Sequence, residues 1–147
     1  MCIRDSNDTV NLLRECNAGI KMGILSIDEM LGSIRSEALR ERVKKSREVH
    51  CKLGAEAAKL LEELEHETKE PPAMAKIMSW MKTNVKLTGD APDRTVADLL
   101  TDGCNMGVKT LYRYLNQYPD ADEKSKFLVR QITAEEEALA KYLRDYL

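Results

Sequence analysis

The sequence predicts an all-α, single-domain bundle. Four long helices form two antiparallel hairpins, joined by a long crossover that contains a short extra helix. Three observations carry this expectation. Apolar residues recur at alternating steps of three and four along most of the chain, which places them on one face of a 3.6-residue helix. No segment shows the period-two alternation of a half-buried strand. The 147 residues include only 1 Trp, 5 Tyr, 1 Phe and 4 Pro, a poor supply for a sandwich or barrel.

The first helix is expected over 8–31, from the stripe Val10, Leu13, Asn17, Ile20, Ile24, Ile27 and Leu31, with Gly32 and Ser33 as its stop. The second, over 36–67, carries Leu39, Val43, Ser46, His50, Leu53, Ala57, Leu60 and Leu64 on one face and charges on the other. Pro71 and Pro72 break the pattern. A short helix over 73–88 then carries Met74, Ile77, Met78, Trp80 and Met81 with Lys76, Lys82 and Lys86. Such a helix could meet a partner or a membrane surface, but its small charge favours packing on the bundle. A helix over 94–118 follows, with Val96, Leu99, Leu100, Val108, Leu111 and Leu115, and Pro119 closes it. Asp120 and Glu123 resemble a capping box for the last helix, whose stripe reads Leu128, Ile132, Glu135, Leu139, Tyr142 and Tyr146. An up-down-up-down bundle of five helices is the alternative connectivity.

Composition bounds the function. A net charge of −2 with pI near 5.8 gives no broad basic surface for nucleic acid. No apolar run reaches the length of a transmembrane helix. Residues 1–7 are expected to be a non-native or disordered extension, because Met-Cys-Ile-Arg-Asp-Ser lies outside the periodic pattern and lacks the apolar core of a signal peptide. The domain proper is 8–147. Without Cys2, the cysteines are Cys16, Cys51 and Cys104, an odd set with no Cys-x-x-Cys pair. Reduced thiols in a cytoplasm are the expectation.

Two segments match: Cys16-Asn17-Ala18-Gly19-Ile20-Lys21 and Cys104-Asn105-Met106-Gly107-Val108-Lys109. Both fall mid-helix in the first helix of their hairpin, which suggests duplication. Antiparallel geometry sets Asn17 at the height of His50 and Asn105 at that of Glu135, so these four polar residues are expected to form one mid-bundle layer. Cys16, Cys51 and Cys104 fall at similar heights.

Helix lengths, the crossover and this layer resemble the ferritin-like superfamily. The run Met78-Ser79-Trp80-Met81-Lys82 through Thr88-Gly89-Asp90, followed by the helix with Gly107, is similar to small bacterial ferritin-like proteins of unknown function. The resemblance covers most of 8–147. It implies a di-iron centre built from a Glu on each of two helices and a Glu-x-x-His on each of the others. This chain departs from that set. Asn17 and Asn105 stand where Glu would be, Arg47 stands three residues before His50, and Ala138 three after Glu135. The resemblance therefore implies the fold with a degenerate metal site.

Each candidate also has a plain reading. His50 and Glu135 could ligate a metal, with Asn17, Asn105, Cys16, Cys51 and Cys104 nearby; they could equally be buried polar groups satisfying one another. The asparagines could set helix register. The cysteines with His50 could bind zinc, or be small buried apolar groups. Glu136 and Glu137 read as a solvated face. Gly19 with Gly23, and Gly103 with Gly107, each cost about 1 kcal/mol against Ala in a helix; they imply close helix approach, room for a bulky neighbour such as Trp80 or a Tyr, or space for a small ligand. The function expected is a non-catalytic structural or interaction protein, self-associating or with a protein partner, and without cofactor, nucleic acid or membrane. The alternative is a metal- or small-ligand-binding bundle using the polar layer.

Overall fold

The structure is a computed structural model that describes residues 3–64 and 92–147, with side chains described from Asn7 onward. The described residues form four α-helices and no strands. These are α1 (Ile3–Leu31), α2 (Glu37–Glu63), α3 (Pro92–Gln117) and α4 (Glu123–Leu143), the last followed by a short 3-10 turn at Arg144–Tyr146. Helix α1 begins at Ile3, ahead of the expected residue 8, and α2 ends before the expected residue 67. The short helix expected over 73–88 lies outside the described residues, as does Cys2.

Local chemistry explains the helix ends. The Ser36 hydroxyl accepts the Leu39 amide and starts α2. Pro92 opens α3, where its missing N–H costs nothing. For α4 the cap is Asp122, whose carboxylate accepts the Ser125 amide, and not the expected Asp120. Asp120 instead donates its backbone amide to the Asp8 carboxylate at 3.0 Å.

Two cross-hairpin clasps set the helix directions. At one end, Asp93 in the first turn of α3 accepts the backbone amides of Arg35 (2.6 Å) and Ser36 (2.9 Å) from the α1–α2 turn. At the other, Asp8 and Thr9 near the start of α1 accept the amides of Asp120 and Asp122 from the α3–α4 turn. Helix α3 is therefore antiparallel to α1 and parallel to α2. Around the bundle, α1 packs on α2 and α3, and α4 packs on α3 and α2. Helix α2 thus ends at the opposite end of the bundle from the start of α3.

The core is divided. One apolar cluster includes Leu12, Leu13, Ile20, Leu53, Leu61, Leu111, Leu128 and Ile132. The other includes Ile27, Met30, Leu39, Val43, Val96, Leu100, Leu139 and Leu143. Between them lie the buried polar residues His50 and Glu136.

Replacing Asp93 by Ala should lower stability by about 1–2 kcal/mol, since two turn amides lose their acceptor. Asp93→Asn, which keeps one acceptor, should lose less. Denaturant midpoints at unchanged m-value measure both.

Candidate functional site: a buried histidine–glutamate pair

His50 and Glu136 sit at matching places. Each is 14 residues past its N-cap, Ser36 for α2 and Asp122 for α4. Each also faces a glycine on the first helix of its own hairpin. A Cβ at Gly23 would lie 2.9 Å from His50 Cδ2, and one at Gly107 would lie 3.0 Å from Glu136 Cδ and nearer still to Oε2. By contrast, a Cβ at Gly19 or Gly103 would meet nothing within 4 Å. The second glycine of each Gly-xxx-Gly pair thus makes room for one member of the buried pair. Among the described residues no tyrosine fills that room, and Trp80 lies outside the described residues.

The pair holds a proton. His50 Nδ1 lies 2.8 Å from the Ser46 carbonyl oxygen, which can only accept, so Nδ1 carries hydrogen and donates. His50 Nε2 lies 3.4 Å from Glu136 Oε1. A neutral imidazole protonated at Nδ1 offers only a lone pair at Nε2, and an ionised carboxylate offers only lone pairs. The contact is therefore attractive only when a proton lies on one side of it or the other. Either form leaves the pair with no net charge. That suits side chains only 3% and 9% exposed.

The electrostatics agree. Burial opposes a charged His50, but hydrogen bonds to Glu136 and the Ser46 carbonyl outweigh it and hold the imidazole above its ordinary range. Burial pushes Glu136 up, and His50 offsets only part of that. Glu136 Oε2 has no hydrogen-bond partner among the described residues, which adds to the cost of ionisation. Burial, with the Glu136 charge behind it, pushes the Cys16 and Cys104 thiols up to about 12.

The expected four-residue layer needs correcting. Asn17 is buried, but Asn105 is exposed on the outer side of α3. Glu135 is not the carboxylate beside His50. It pairs with Arg42 at 3.0 Å near the bundle edge, and Arg42 also stands over the Tyr142 ring. Glu136, expected on the solvated face, is the buried acid, while Glu137 is exposed. Stripes through 135 and through 136 both step by three and four between Ile132 and Leu139. The core uses the one running Ser125, Val129, Ile132, Glu136, Leu139 and Leu143.

The thiols do not gather with His50. Cys16 and Cys104 are buried, while Cys51 is half-buried beside Arg47, whose guanidinium turns outward to Asp28. Among the described residues no three His, Cys, Asp or Glu side chains converge on a metal-sized site. A di-iron centre does not fit this donor set. One carboxylate is held by Arg42, one amide points to solvent, and the remaining His and Glu engage each other.

The repeat aligns differently from the Cys-Asn-x-Gly match. Setting Gly19 on Gly103 and Gly23 on Gly107 pairs buried Leu12 with Val96, Leu13 with Ala97, Cys16 with Leu100, Ile20 with Cys104 and Ile27 with Leu111. Asn17 then corresponds to Thr101. Asn17 Nδ2 and Thr101 Oγ1 are both buried without a hydrogen-bond partner among the described residues. Counting from both N-caps is the signal that would have found Glu136, but it requires the cap at Asp122.

Gly23→Ala and Gly107→Ala should each destabilise by about 1–3 kcal/mol through overpacking, with Gly107→Ala the worse because it strikes a carboxylate. Gly19→Ala and Gly103→Ala should stabilise by roughly 0.5–1 kcal/mol, since a helical Gly in open space costs backbone entropy. Thermal unfolding of the four variants would separate the two classes.

The pH dependence has a definite sign. The unfolded chain loses its His proton near 6.5, whereas the folded pair keeps its shared proton to higher pH. Above that pH the folded state binds more protons, so the pair's contribution is lost as pH rises through the raised His50 value. The groups around the pair do not reverse this. Cys16 on α1 and Cys104 on α3 are protonated, Glu135 on α4 adds negative charge, and Arg42 on α2 is engaged with Glu135. Denaturant titrations of the wild type and the double variant His50→Gln/Glu136→Gln should show a stability difference that shrinks from about pH 5 to about pH 9. A difference that widens over that range would contradict the assignment.

Compared against protein-family models, curated proteins and solved structures, the chain matches none of them, so the reading of this site rests on its own residues.

Proposed function

We propose that this chain is a non-catalytic helical bundle acting through protein contacts, most simply with a second copy of itself. The observation that carries this reading is the closure of the polar centre. His50 and Glu136 engage each other inside the core, in room vacated by Gly23 and Gly107. A substrate site needs such groups reachable and turned toward a cavity.

The outer surface supports the same reading. A groove of about 350 Å³ between α2 and α4 is bordered by Glu56, Lys59, Leu60, Glu63, Lys124 and Phe127, and neither His50 nor Glu136 lines it. Phe127 is 62% exposed there. An apolar spot rimmed by charges of both signs suits a protein surface better than a polyanion. No helix among the described residues is long and apolar enough to cross a membrane. The order and directions of the helices are compatible with a ferritin-like bundle.

The test uses the full chain purified without an affinity tag. Sedimentation should show concentration-dependent self-association, weakened at least tenfold by Phe127→Asp. Metal analysis should find no stoichiometric ion. A strictly monomeric chain with no recoverable partner would overturn the interaction role. Stoichiometric metal lost in His50→Ala would establish the metal-binding alternative.

A further inference from the structure

We infer that the two hairpins are pseudo-symmetric halves, and that His50–Glu136 is the key that makes the first hairpin pair with the second rather than with a copy of itself. The equivalence extends through the middle of the core. Counted from their N-caps, six buried positions of α2 coincide with six of α4: Leu39 with Ser125, Val43 with Val129, Ser46 with Ile132, His50 with Glu136, Leu53 with Leu139 and Ala57 with Leu143. The five α1–α3 correspondences and the two second glycines share a register of their own, 84 residues apart against 86 for α2 and α4, so α3 runs two residues further than α1 before its turn. Both turns have five residues, and each is held by an acidic residue near the start of the other hairpin.

Such symmetry leaves apolar residues unable to choose a partner. Most of the equivalent pairs are apolar on both sides, so a hairpin paired with its own copy would bury much the same surface. At the central position the outcome differs. Self-pairing of the first hairpin would set His50 against a second His50, and a shared proton there leaves one net positive charge in the core. Self-pairing of the second would set Glu136 against a second Glu136, and a shared proton leaves one net negative charge. Only the mixed pair holds one proton with no net charge, and a buried net charge is costly. The discrimination arises because the residues differ where everything around them is alike.

Because the positions are equivalent and each faces its own glycine, the pair should work in either orientation. The experiment compares the full-length chain with His50→Glu, Glu136→His and the double exchange His50→Glu/Glu136→His. Each single variant, carrying a like pair, should unfold at a much lower temperature. The double exchange should recover more than half of the larger loss, with a cooperative transition and unchanged helical content. A double exchange no more stable than the worse single variant would overturn the inference, because it would show that the two positions are not interchangeable. Should a single variant fail to fold, the double exchange still decides: a cooperative fold supports the key, and an unfolded chain refutes it.

Discussion

A single proton held between His50 and Glu136 is the constraint on which the middle of this bundle depends. The imidazole has committed Nδ1 to its own helix through the Ser46 carbonyl, so only Nε2 is left to meet the carboxylate. Without the proton, two acceptors would face each other in a core where neither can reach water. With it, the pair is neutral overall and can be buried at modest cost. Glycines at 23 and 107 follow from the need to seat a ring and a carboxylate between close helices. The neighbouring thiols are protonated for the same reasons of burial and adjacent negative charge.

The polar centre also organises the core. Apolar clusters lie on either side of it, each built from all four helices. Apolar contact supplies most of the driving force for assembly but is indifferent to register and partner. The discriminating contacts are polar and few. At the ends they are Asp93 on the α1–α2 turn and Asp8 with Thr9 on the α3–α4 turn; in the middle they are the buried pair.

Much of the helical architecture was legible in the residues. The stripes of α1 and α2 were read nearly position by position, because a long run of threes and fours admits only one amphipathic face. The end of α2 shows the usual drift, with Leu61 fully buried and Leu60 only partly so. His50 was legible as a polar interruption of an apolar stripe. Its partner was not. Glu135 and Glu136 are chemically identical neighbours, and two adjacent stripes of α4 have equally good spacing. Asn105 failed for a related reason: the Cys-Asn-x-Gly match is a resemblance of letters four residues out of step with the equivalence of positions.

The sequence by itself determined that the described residues are helical, where their two tight turns fall, and that an ionisable residue interrupts the core at mid-height. Those properties are local, carried by side-chain period, caps and prolines within a turn or two of where they act. Only the tertiary structure decided which carboxylate enters the core, which glycines face it and which end of each hairpin meets the other. Those depend on the rotation of each helix about its axis. A helix with a wide apolar face can turn through one residue's arc at little hydrophobic cost, so the choice falls to the neighbours that close the core around it.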